Sequence, residues 1–302
     1  MNDVNLYSHP VVRDLDWILT SPALMVDNLH CFSAFQFDQS TIANSIAWLQ
    51  YLDTHPEKIN LDKSQFKRLG HYFEALLAFL FTQGWQDKVM PYRMIARNIQ
   101  FNSEKATLGE LDFLLRDQNS NFIHVECAVK FYLGKIKSER WSNWVGPNAK
   151  DRLDIKLNRL LHHQLSILND KSNDAVNEYF QAKQIDPATV SSKYFLRGIF
   201  FYSHSRSKHL PSLANPTALT ACWMLASDFL KNYAPALETW TALPKLNWLG
   251  GPVQSNSMCN SANSPKTLVP FPNLMCKYTD QQELLMVVPD HWLEVNSPSR
   301  KI

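Results

Sequence analysis

The stretch from Gly109 to Lys130 sets Asp112, Glu126 and Lys130 in two runs that otherwise alternate apolar residues. Two carboxylates and a backbone carbonyl suit a hard divalent ion, and an ammonium beside them suits negative charge developing on a substrate. Successive residues of an extended strand face opposite ways. Leu111, Phe113 and Leu115 therefore share one face and Glu110, Asp112 and Leu114 the other. In the second run Ile123, Val125, Cys127, Val129 and Phe131 oppose His124, Glu126, Ala128 and Lys130. Packing both apolar faces on one core puts Asp112 and Glu126 on the same side of a hairpin. Like charges on adjacent strands repel, so the pair needs solvent, a cation or a metal. Asp112, Glu126 and the carbonyl of Cys127 make a ligand set for Mg²⁺ or Mn²⁺. A half-exposed hairpin with a wet outer face is the alternative.

The elements that must position these residues follow from periodicity. Asp62 is an N-cap candidate, and Phe66, Leu69, Phe73, Leu76, Leu77 and Leu80 mark an amphipathic helix ending near Gly84. A strand over 92–101 comes next, then strands over 108–115 and 122–131 joined by the turn-rich segment from Arg116 to Asn121. A helix over 150–168 carries Leu153, Leu157, Leu160, Leu161 and Leu168 on one face, and 194–202 is a short buried strand. The order from Asp62 is thus helix, three strands, helix, strand. Residues 1–61 read as a helical extension whose apolar positions include Ile42, Ile46, Leu49 and Leu52. A core spans 62–205. Residues 206–302 form a C-terminal extension of the same globular unit, with a helix near 218–231, a polar loop at 255–264 and a last strand at 284–288.

This order, with an acid on the second strand and Glu followed by Lys on the third, resembles the PD-(D/E)XK nuclease superfamily. Gly109-Glu110-Leu111-Asp112, with Glu126 fourteen residues after Asp112, is similar to the arrangement of its resolvase-like members. The resemblance covers 62–202, under half of the chain. The whole chain is also similar to an uncharacterised bacterial domain-of-unknown-function family assigned to that superfamily. The resemblance implies an α/β fold with a restriction-endonuclease-like core, a mixed central sheet and helical additions at both ends. It also implies a metal-dependent nuclease acting on phosphodiester bonds, with DNA the expected substrate. Asp112 and Glu126 would bind the metal, and Glu74 would be the further acid that some members carry. One departure stands out: the family's Lys falls where this chain has Ala128, and Lys130 is offered instead. Four strand residues span about 13 Å, so Lys130 must reach back along the strand or be brought nearer by a bulge.

Gln164 lies in the apolar stripe of the second core helix. It either aims at the metal site, as a helix glutamine does in some RecB-like members, or is satisfied by backbone. Lys156 and His163 lie beside that stripe, facing either phosphate or solvent. Residues 127–170 hold eight Lys or Arg against four acids in a chain of net charge +2, so the positive charge is concentrated just after the hairpin. Lys135, Lys137 and Arg140, interleaved with Trp141 and Trp144, suit a surface that neutralises phosphates and stacks bases. The two indoles would equally suit anchors that pin the loop to the core.

Other chemistries find little support. Five scattered cysteines include no CxxC pair, the histidines lack zinc spacing, and eight glycines leave no phosphate loop. The longest apolar run, Ala75 to Phe81, falls short of the roughly 18 residues needed to span a bilayer. With no export signal at its start, the chain reads as cytoplasmic. Two rivals to the nuclease stay open: a catalytically inactive nucleic-acid-binding module on the same fold, and a protein-interaction scaffold.

Overall fold

The computed structural model describes residues 6–102, 107–135, 139–170, 173–251, 272–278 and 282–292. The polar loop expected at 255–264 lies outside them, as does Lys137. The chain opens with helix α1 (Pro10–Thr20), two short strands β1 (Asn28–Leu29) and β2 (Phe32–Ala34), and helix α2 (Gln39–Thr54). Asp38 caps α2 by accepting the Thr41 N–H at 2.7 Å, and His55 before Pro56 ends it.

The first core helix, α3 (Leu69–Phe79), starts later than Asp62 suggests. Asp62 does cap, but it caps a single 3₁₀ turn at Lys63–Gln65, and α3 has no side-chain cap. A π-helical turn, Leu80–Gly84, continues α3. Three strands follow: β3 (Tyr92–Asn102), β4 (Thr107–Asp117) and β5 (Phe122–Gly134). Then come β6 (Trp144–Val145), α4 (Leu153–Arg159) extended by a π-helical turn at Leu160–Gln164, α5 (Asp174–Ala182) and β7 (Ser191–Ser203). The order expected from Asp62 to Tyr202 is thus present, with α5 and β6 added.

The C-terminal part contributes β8 (Thr220–Leu225), α6 (Ala226–Tyr233), β9 (Trp240–Leu243), β10 (Asn273–Tyr278) and β11 (Gln282–Val288). The helix expected over 218–231 is therefore half strand. Pairing of Thr220–Trp223 with Phe200–Ser203, and of Cys222–Leu225 with Leu285–Val288, places β8 between β7 and β11, and this partnership overrides local propensity.

All strands join one mixed sheet whose main path runs β3-β4-β5-β7-β8-β11-β10-β9. β3, β4 and β5 are antiparallel neighbours, whereas β5, β7, β8 and β11 run parallel. One face of β5 packs Val125, Cys127, Phe131 and Leu133 into the core that holds α1, α2 and α3. The other packs Tyr132 against Leu153, Leu157 and Leu161 of α4 and its π turn. Buried on both sides, β5 is not the half-exposed strand of a wet hairpin. Period two holds along β5 but not through β4: Leu111 packs with Leu114, while Phe113 and Leu115 join the α3 side.

Gly198 fixes the β5–β7 contact. Its φ is +146°, and a Cβ there would stand 1.6 Å from the Lys130 carbonyl oxygen. Only glycine permits that approach of the two backbones.

Candidate functional site

β4 and β5 keep ladder register from Arg116↔Phe122 to Phe113↔Val125 and then part. The next partner on that edge of β5 is β6, at Leu133↔Val145. Asp112 and Glu126 are the first residues past the last pair, and their carboxylates take over the ladder bonds. Glu126 Oε1 accepts the Asp112 N–H at 3.3 Å, and Asp112 Oδ2 accepts the Cys127 N–H at 2.8 Å. The two acids thus meet in a gap of the sheet.

Glu126 is 1% exposed and heavily partnered. His124 Nε2 lies 3.0 Å from its Oε1, and the other ring nitrogen lies 3.0 Å from Ser192 Oγ. Gln164 donates its amide to Glu126 Oε2 at 2.5 Å. Lys156 in turn donates to Gln164 Oε1 at 3.0 Å. Gln164 ends the π-helical turn, and it is satisfied by the carboxylate rather than by backbone.

Burial, then the Glu126 charge, pushes the Asp112 carboxyl up to about 8. Burial also raises Glu74 on α3, with His71 opposing and Glu110 and Glu126 adding. Glu126 thus raises the Glu74 carboxyl and Glu74 raises that of Asp112, with no hydrogen bond between Glu74 and the pair among the described residues. Burial and the neighbouring Lys130 charge depress Lys156, against the pull of Glu126 and Asp112.

Lys130 goes elsewhere. Its ammonium is 2.5 Å from Asp151 Oδ2 in the loop before α4, where Tyr132 also reaches Asp151. Lys156, half-buried rather than solvated, is the cation linked to the carboxylates. Trp144 is fully buried against Phe200 and His209, so its ring is not available to stack a base. Trp141 stays partly exposed but donates its indole N–H to the Ser212 carbonyl at 2.7 Å, anchoring the loop. Lys135 is half-buried at the end of β5, and Arg140 is exposed.

Among the described residues, no three His, Cys, Asp or Glu side chains gather as metal ligands. An ion here would rest on Asp112, Glu126, backbone and water, a donor set suited to Mg²⁺ or Mn²⁺ and unsuited to zinc. The site fits such an ion in charge: a buried Glu126 and a half-buried Asp112 share the gap, and Asp112 Oδ1 accepts no hydrogen bond among the described residues. Cys127 supplies its N–H to Asp112, while its thiol packs into the apolar core on the other face.

Sequence reasoning missed His124, Ser192 and Asp151. His124 stands two residues before Glu126 on the same strand face, a signal that period two does carry. Ser192 and Asp151 arrive from distant segments and leave no local trace.

Fold and site together define a mixed α/β protein with a large central sheet and an acidic pair, one member buried and one half-buried, beside a lysine. The chain belongs to the family described as domain of unknown function DUF1853, whose model matches residues 13–289. Neither the curated proteins nor the solved structures include a significant match. No helix among the described residues is long and apolar enough to cross a membrane.

Proposed function

We propose that this chain is a metal-dependent nuclease hydrolysing phosphodiester bonds, with DNA as the expected substrate. We read α3, β3, β4, β5, α4 and β7 as a restriction-endonuclease-like core. The observation that carries the proposal is the convergence of Asp112 and Glu126 at the parting of β4 and β5, with Gln164 and Lys156 in contact. Asp112 and Glu126 would hold Mg²⁺ or Mn²⁺. Such an ion, when bound, polarises a phosphoryl oxygen and lowers the pKa of water.

The other residues have roles that follow from their contacts. Gln164 and His124 fix both oxygens of Glu126, so the carboxylate meets a ligand in one orientation. Lys156 is a desolvated cation beside the acids, where a charge acts more strongly than it does in water. Glu74 adds negative potential on the α3 side of the gap. Lys135 and Arg140 supply positive charge for the phosphate backbone.

Calorimetry with Mn²⁺ and a cleavage assay on single-stranded, duplex and branched DNA test the reading. Saturable Mn²⁺ binding and cleavage, both lost in Asp112→Ala, support it. Absence of metal binding to the wild type overturns it. The engagement of Lys130 by Asp151 favours a second reading, a nucleic-acid-binding module that does not cut. Salt-dependent DNA binding without cleavage under any divalent ion would select that one.

A further inference from the structure

A second polar cavity lies at the other end of the parallel strands. It is a half-open cleft of about 340 Å³ at the carboxyl ends of β5, β7 and β8, where α6 begins directly after Leu225. Crevices at the carboxyl ends of parallel strands are the usual ligand positions in open α/β sheets, because loops and helix starts converge there. Lys135 follows Glu126 by nine residues of β5, so at about 3.3 Å per residue the cavity is about 30 Å from the carboxylate pair.

The lining is chemically divided. Lys135, His204 and Arg206 bring cationic and titratable groups to the lining, and Ser203 and Ser205 bring hydroxyls. The Ser203 and Ser205 hydroxyls lie 3.0 Å apart, and Arg206 is held in its turn by its own N–H on the Ser203 carbonyl at 2.9 Å. Asp228 and Asn232, one helical turn apart on α6, offer hydrogen-bond acceptors from another wall. Trp223 donates its indole N–H to the Gly134 carbonyl at 2.9 Å, which leaves its ring as an apolar wall.

We infer that this cavity binds a phosphomonoester on a small polar body, of mononucleotide size. A phosphomonoester carries about −1.5 to −2 charges near neutrality, which Lys135 and Arg206 match. Its oxygens accept from the two cations and the serine hydroxyls, while ribose or base donors meet Asp228 and Asn232. The volume falls at the lower end of the roughly 300 to 1,000 Å³ of small-molecule sites, which suits one nucleotide and not a longer strand. This inference shares Lys135 with the nuclease reading but does not rest on it, since no hydrogen bond or ion pair joins the cavity residues to Asp112 or Glu126 among the described residues.

Isothermal titration with AMP, adenosine, inorganic phosphate, and 5′-phosphorylated and 5′-hydroxyl oligonucleotides tests it on the full chain. AMP is expected to bind at one site and adenosine not measurably. Arg206→Ala should weaken AMP by about tenfold or more, the scale for one charge-assisted contact. Arg206 is exposed, so this variant is expected to keep its fold, and its thermal unfolding checks that. Lys135→Met gives a second, independent loss, while Asp112→Ala leaves AMP affinity unchanged. Preference for the phosphorylated oligonucleotide over AMP would identify the phosphomonoester as a strand end, and the reverse a free nucleotide. Adenosine binding as well as AMP, no saturation by any phosphorylated probe, or equal loss in Asp112→Ala would each overturn the assignment.

Discussion

Lys130 and Asp151 form an ion pair, with 2.5 Å between Nζ and Oδ2 and side-chain exposures of 27% and 38%. The lysine that strand periodicity aligns with Glu126 is thereby held at the loop before α4. Lys156, half-buried like Lys130, differs in its partner: it reaches Glu126 through Gln164.

The two lysines should separate on substitution. Lys156→Met keeps the stem and removes the charge, so divalent-ion-dependent cleavage should fall about a hundredfold or more, the scale for losing one electrostatic group. Lys130→Met should lower it less than about tenfold, because its ammonium is engaged by Asp151 and makes no contact with the acidic pair among the described residues. Single-turnover rates on one DNA substrate measure both. Equal losses would return Lys130 to the site.

The pH dependence of the metal-free protein follows from Asp112. Its folded-state pKa is raised, to about 8, above the unfolded value of an ordinary aspartate. Between those values the native state binds a proton that the unfolded state has released, so stability falls as pH rises from about 4 to about 8. Asp112→Asn removes that slope. The variant should therefore gain on the wild type as pH rises, with chemical unfolding at pH 5 and pH 8 as the comparison. Because metal needs the ionised carboxylate, Mn²⁺ affinity should rise over the same interval.

Gly198→Ala should cost about 2 to 4 kcal/mol, since the new methyl meets the Lys130 carbonyl and the backbone has positive φ. A shift of the urea midpoint reads the loss. A change below about 0.5 kcal/mol would mean that β5 and β7 can separate slightly without penalty.

Asp14 ties three parts of the chain together. Buried on α1, it accepts from Lys63 Nζ at 2.6 Å, Tyr72 Oη at 2.7 Å and the Gly250 N–H at 2.9 Å. Asp14→Ala strands those donors and should destabilise by about 3 kcal/mol, the scale for breaking a buried charge network. Loss in one cooperative transition, seen alike by circular dichroism and tryptophan fluorescence, is the expected outcome. A separate early transition would instead identify an N-terminal unit that unfolds alone.

What the sequence carried was local. Alternation through Ile123 to Phe131 located Glu126 on the α4-facing side of β5, and the spacing of Leu153, Leu157 and Leu160 placed Gln164 near it. What it could not carry was set by partners far along the chain. Asp151, twenty-one residues beyond Lys130, decides where that ammonium goes. The parting of β4 from β5 breaks the alternation at Leu111, and nothing in the residue types marks it. Trp141 and Trp144 are one residue type three positions apart, yet one ring is fully buried and the other partly exposed. Thr220 to Leu225 has a composition compatible with helix, and only two neighbouring strands make it β8.

β2 lies beside β7, with Ala34 opposite Tyr194 and the Phe35 N–H on the Tyr194 carbonyl at 2.7 Å. The partners are 160 residues apart in the chain. On a ribosome adding about 5 to 20 residues per second, β2 emerges roughly 10 to 30 s before its partner has been made. During that interval Phe35 and Phe37, both buried in the finished protein, have no β7 to close over them. Phe35 and Phe37 are therefore apolar surface awaiting its cover while the chain is made, and slower elongation should lengthen that interval.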